Sequence, residues 1–211
     1  MELYWLDVID YWGREVAAAR ITDKVAFANP DEVCKKCFQP MHRFRLGPYG
    51  ITFEPGASII PDFLEPSRGR KFIVSNRVKE AYDEAGFKGY VAWPVKVNPP
   101  VQRKRRQIIV APYPPPEPLW DIYVPERVNI LIAESTIDCT GVCNSCERKL
   151  YSIADYEGRF SLIVDRSTWN GCDFMQPHEL NTSFITERVA DLIVKNKFTN
   201  IKVTHVGRIS D

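Results

Sequence analysis

No apolar run in this chain is long enough to cross a bilayer, and a transmembrane helix is therefore not expected. Charge of one sign is also missing: 28 basic and 27 acidic residues leave a formal net charge of +1, so no global field draws the protein to nucleic acid or to a membrane surface. The opening "MELYWLDVIDYWGREVAAARI" lacks the basic leader and apolar core of a secretory signal, because Glu2, Asp7 and Asp10 interrupt its hydrophobic residues. Histidine is scarce: His42, His178 and His205 share no metal-ligand spacing and read as surface or strand residues. No glycine-rich phosphate loop, GxSxG turn or HExxH helix is present, the carboxylates are scattered, and no enzyme is expected. A cytoplasmic location follows from the missing leader, and there thiols stay reduced. Six cysteines in such a compartment point to metal or thiol chemistry rather than to disulfides.

What the chain does have is aromatic residues, five Trp, nine Tyr and eleven Phe, enough for a packed core. It also resembles itself. "CKKC" (Cys34, Cys37) is followed 109 positions later by "CNSC" (Cys143, Cys146). "DFLEP" (Asp62–Pro66) and "DFMQP" (Asp173–Pro177) stand 111 apart. So do "FIVSNRVKEAYDEAGFKGYVAWPV" (Phe72–Val95) and "SFITERVADLIVKNKFTNIKVTHV" (Ser183–Val206). Three blocks in one order predict a duplicated chain.

The longest shared block predicts strand, helix, strand. Phe72–Val74 is β-prone, and Ser75 is placed to cap a helix by accepting an amide of its first turn. Val78, Ala81, Tyr82 and Ala85 recur at helical spacing, and Gly86 suits a left-handed closing residue. In the second copy Thr186 is the expected cap, Val189, Leu192 and Ile193 make the apolar face, and Phe198–Val206 alternates as a half-buried strand does. Between the copies, "NPPVQRKRRQIIVAPYPPPEP" (Asn98–Pro118) holds seven of the sixteen prolines and predicts an extended connector, with a short edge strand possible in "QIIVAPY". The expected fold is α+β: a first repeat half at 1–97, a connector at 98–118 and a second half at 119–211. Each half carries a CxxC knuckle and a strand–helix–strand unit, and the two fuse into one globule around a structural zinc.

A CxxC pair puts two sulfurs on one turn, and tetrahedral zinc needs two more ligands. One set of four is Cys34, Cys37, Cys143 and Cys146, shared between the halves. The other lies within the second half: Cys139, Cys143, Cys146 and Cys172. A redox role for either CxxC is a third reading, although neither opens a convincing amphipathic helix. Four thiolates would close the coordination shell, which makes any such zinc structural.

The basic run "RKRR" (Arg103–Arg106) offers phosphate contacts, or simply a solvated linker, and its flanks carry little further positive charge. A zinc-ribbon-like nucleic-acid binder is therefore a possible but disfavoured function, and a CxxC thiol oxidoreductase is another. Arg77 and Arg188, each in the first turn of a predicted helix, oppose the helix dipole. Asp62 and Asp173 of the same blocks are their expected partners.

The paired CxxC motifs about a hundred residues apart, the aromatic start "LYWL" and the closing "CDFMQPHELNTSFITERVADLIVKNKFTNIKVTHV" resemble the double-CxxCG motif proteins of bacteria, immunity factors against polymorphic, contact-delivered toxins. The glycine that follows each CxxC in that pattern, and lets the knuckle turn toward its sulfurs, is replaced by Phe38 and Glu147. The resemblance implies a cytosolic protein that neutralises a cognate toxin by direct contact and needs no catalytic residue. Tyr49, Tyr113 and Trp169 are candidate contact aromatics.

Overall fold

The computed structural model describes residues 1–9, 16–22, 34, 36, 47, 50–54, 58–66, 72–99, 111–147, 149–153, 161–180 and 182–211. The fold is mixed α+β, with strands dominating and two α-helices among the described residues. Strand β1 (Glu2–Val8) is followed by β2 (Ala19–Ile21), β3 (Gly50–Phe53), β4 (Phe63–Leu64) and β5 (Phe72–Ser75). Helix α1 (Asn76–Glu84), β6 (Val91–Pro94) and β7 (Lys96–Val97) come next. Then come β8 (Leu119–Tyr123), β9 (Arg127–Val128), β10 (Ile137–Val142), β11 (Lys149–Ile153) and β12 (Leu162–Val164). The chain closes with β13 (Phe174–Pro177), β14 (Phe184–Thr186), helix α2 (Glu187–Asn196) and β15 (Ile201–Ile209). Of the predicted connector, residues 100–110 lie outside the described residues, including Arg103–Arg106 and most of the suggested edge strand.

The strands form a six-stranded sheet in the order β12-β15-β1-β14-β13-β9, a four-stranded sheet β4-β5-β8-β6, a three-stranded sheet β2-β3-β7 and the hairpin β10-β11. Strand alternation explains the layers. On β5, Phe72 and Val74 enter a central core with Val78 and Tyr82 of α1 and Val189 and Ile193 of α2, while Ile73 points to an outer core with Leu119, Ile51 and Phe53. On β1, Leu6 and Val8 face the central core, whereas Leu3 and Trp5 face a third core with Leu162, Met175, Phe184 and Val206. Both faces of both larger sheets are covered, which is why "FIVS" and "FIT" read as nearly continuous apolar runs.

The two sequence halves are not laid side by side. Strand β1 of the first half lies between β14 and β15 of the second. Strand β8 of the second half lies between β5 and β6 of the first. The sequence halves at 1–97 and 119–211 each lend a strand to the other's sheet. In the first sheet Phe63 pairs with Val74 and Leu64 with Ile73; in the second, Phe174 pairs with Ile185 and Met175 with Phe184, each partner 111 positions on.

The predicted helix starts are as expected in one copy and altered in the other. The Ser75 hydroxyl accepts the Val78 amide and donates to Asp62 Oδ1 at 2.7 Å. Thr186 occupies the same cap position but accepts no amide from the helix; its hydroxyl donates to Asp173 Oδ1 at 3.0 Å. The helices close at left-handed residues, Gly86 (φ 65°), as expected, and Lys197 (φ 51°).

The first-turn arginines find the expected carboxylates. Arg77 Nη1 lies 3.2 Å from Asp62 Oδ2, and Arg188 Nη1 lies 3.1 Å from Asp173 Oδ1. Their second nitrogens cross to the opposite helix. Arg77 Nη2 donates to the Asn196 carbonyl at the end of α2, and Arg188 Nη2 to the Ala85 carbonyl at the end of α1. A cation unfavourable at its own helix N-terminus thus gains the negative end of the other helix. Arg77 also sits over the Phe198 ring and Arg188 over Phe87. Asp62 Oδ2 accepts the Thr199 amide at 2.9 Å, and Asp173 Oδ2 the Lys88 amide at 3.1 Å. Every residue in one set maps to its counterpart in the other by the 111-residue offset.

Candidate metal centre

The hairpin β10-β11 carries "CNSC" at its tip. Its strands pair from Ile137↔Ile153 to Val142↔Lys149, with a shift of register between Cys139 and Gly141. Beyond Val142 the chain folds through a tight turn in which the Glu147 amide donates to the Cys143 carbonyl at 2.7 Å. Glu147 closes that turn at φ 59°, the left-handed conformation that glycine adopts most readily. A glutamate adopts the left-handed conformation here, with steric strain.

The turn aims donors inward. Backbone amides of Ser145 and then Cys146 point at the Cys143 sulfur and hold its pKa below the ordinary thiol value. Cys143 is buried and Cys146 half-buried. Opposite them stands Cys34, buried, from the other end of the sequence; its sulfur lies 3.6 Å from that of Cys143. The sulfurs of Cys34, Cys143 and Cys146 all lie within 4.8 Å of one another. Two thiolates on one tetrahedral zinc, each at ~2.3 Å, stand about 3.8 Å apart, so the spacing fits a shared metal ion. This is the one group of metal-capable side chains of its kind among the described residues, and it could hold a metal.

The other cysteines go elsewhere. Cys37 lies outside the described residues. Cys139 is exposed on β10, and its thiol donates to the Gly141 carbonyl at 3.5 Å. Cys172 is buried in the core beside Met175 and Leu162, and burial, then the nearby Glu126, pushes its thiol up to about 11. Of the two sets of four drawn from the sequence, the cluster contains three members of the shared set. The second-half set contributes only Cys143 and Cys146, with Cys139 and Cys172 outside the cluster.

Among the other candidates, His42 and Tyr49 lie outside the described residues. His205 on β15 pairs with Glu2 at 2.5 Å and packs edge-on against Tyr4. His178 is exposed, directly after β13. Tyr113 is exposed, whereas Trp169 packs against the core and donates its indole N–H to the Cys172 carbonyl. What sequence reasoning did not find is the set of backbone donors at Ser145 and Cys146. The only signal for them is the two-residue spacer of the CxxC itself. No helix is long and apolar enough to cross a membrane.

No family model matches the chain, and no curated protein matches it.

Proposed function

We propose that the chain is an internally duplicated, non-catalytic binding protein of the immunity class, which neutralises a toxin in the cytoplasm by direct contact. One zinc ion on Cys34, Cys37, Cys143 and Cys146 clasps its two halves. The observation that carries the clasp is the meeting of Cys34 with Cys143 and Cys146 across 109 residues of sequence. The 111-residue correspondence of strand pairs, and the reciprocal contacts of Arg77 and Arg188, support a duplication in which the halves face each other about an approximate two-fold axis. The equal spacing of the two CxxC pairs, 109 positions apart, makes Cys37 the fourth ligand of this proposal. Four sulfurs leave zinc no open position, which suits a clasp rather than a catalyst.

The toxin-binding role rests on the resemblance of the cysteine pairs and closing block to immunity proteins. The experiment for it is growth protection. Cells making the toxic domain encoded beside this gene are expected to grow when the wild-type chain is co-expressed, and the purified pair to co-elute. Absence of both protection and complex formation with that domain rejects the immunity role while leaving the metal clasp standing.

A further inference from the structure

We propose that Cys34 and Cys143 form an oxidation site, at which a hydroperoxide converts the pair into a disulfide and expels the metal ion. The geometry comes first. Theirs is a contact between sulfurs of opposite sequence halves, at 3.6 Å, and both residues are buried. Closing it to a bond of about 2.05 Å requires a sulfur shift of roughly 1.5 Å, within reach of rotation about χ1 and a small movement of the hairpin tip. The hairpin is suited to that movement, because Asp138, Cys139, Thr140 and Val142 of β10 are exposed, and its core contacts, at Ile137 and Tyr151, lie on the base side of the CxxC turn. Cys143, at the tip of that hairpin, is the sulfur that moves, and it is assigned the first attack.

The chemistry balances. The Cys143 thiolate attacks one peroxide oxygen; an S–O bond forms, the O–O bond breaks and hydroxide leaves. The Cys34 thiolate then attacks the sulfenyl sulfur; the S–S bond forms, the S–O bond breaks and a second hydroxide leaves. The two thiolates lose two electrons, the peroxide gains them, and two protons from solvent complete two waters. Half of the thiolate set is then lost to the metal, and the Cys143–Cys34 bond replaces the ion as the tie between the halves.

This inference rests on the metal reading for the ion but not for the disulfide, and one experiment separates them. Purified wild-type protein is treated with hydrogen peroxide under a chromogenic zinc indicator, blocked with an alkylating reagent and digested without reduction for mass spectrometry. The expected result is one zinc released per chain together with a Cys34–Cys143 linked peptide, and no linked peptide in Cys34→Ser. A Cys34–Cys143 peptide from protein that contained no zinc before treatment would sustain the oxidation site and reject the metal reading. Zinc release accompanied by a Cys143–Cys146 peptide, or by overoxidised cysteine without a cross-link, overturns the proposed pair. So does zinc retention at peroxide levels that fully oxidise Cys139.

Discussion

At the scale of single residues, Glu147 carries the most informative strain. A non-glycine side chain at φ 59° costs about 1 kcal/mol relative to glycine, and the turn it closes sets the direction of the Ser145 and Cys146 amides. Glu147→Gly is therefore expected to stabilise the protein by up to about 1 kcal/mol in denaturant titration, with metal affinity kept. Glu147→Val should destabilise it by more than 1 kcal/mol, since a β-branched side chain resists the left-handed region. Equal midpoints for all three proteins would show that the turn does not impose this conformation. The two buried carboxylates make a second residue-scale prediction. Asp173 accepts from the Thr186 hydroxyl, the Lys88 amide and Arg188, so Asp173→Ala takes the acceptor from three donors, the Thr186 hydroxyl among them buried, and is expected to cost about 2–3 kcal/mol in unfolding free energy. Arg77→Met, which removes a side chain more than half exposed, is expected to cost only about 1 kcal/mol. A neutral Asp173→Ala would show that the crossed contacts contribute nothing to holding the halves together.

At the scale of elements, the strand–helix–strand units were legible from sequence, because helical spacing at Val78 and Tyr82 and the cap at Ser75 record local preference. The arginine–aspartate pairs were legible too, since a cation in a helix's first turn calls for a partner. The crossing of β1 and β8 was not. The alternation in "ELYWLDV" tells which faces are buried, and it is silent on whether the neighbouring strand comes from the same half. The sequence also left open two sets of cysteines, because spacing alone does not distinguish a sulfur at the hairpin tip from one on its exposed strand or in the core. Close packing between the halves yields an element-scale prediction at Gly89. A Cβ there would lie 2.2 Å from the Phe174 carbonyl oxygen and 2.8 Å from the Cys172 Cβ, so the loop after α1 would be pushed off β13. Gly89→Ala is expected to cost more than about 2 kcal/mol, read as a fall in the thermal midpoint, because backbone and side chain both obstruct relief. An unchanged midpoint would mean that the two elements do not approach so closely.

At the scale of the whole molecule, the halves are joined in three ways: exchanged strands, a common core that receives both helices, and a cluster of sulfurs from both. With β1 and β8 exchanged between the halves, Cys34 stands beside Cys143, 109 residues later, in a cluster that could hold a metal ion. A metal ion held there would tie residues 109 positions apart, and a cross-link over so long a loop restricts the unfolded chain strongly.

The shared site is tested most directly by the metal content of purified protein, measured by inductively coupled plasma mass spectrometry for the wild type and for Cys34→Ser, Cys37→Ser, Cys143→Ser and Cys139→Ser. One zinc per chain is expected in the wild type and in Cys139→Ser, with zinc lost from the other three. Full zinc in Cys34→Ser, with loss in Cys139→Ser, would contradict a centre shared between the halves and place it within the second half alone.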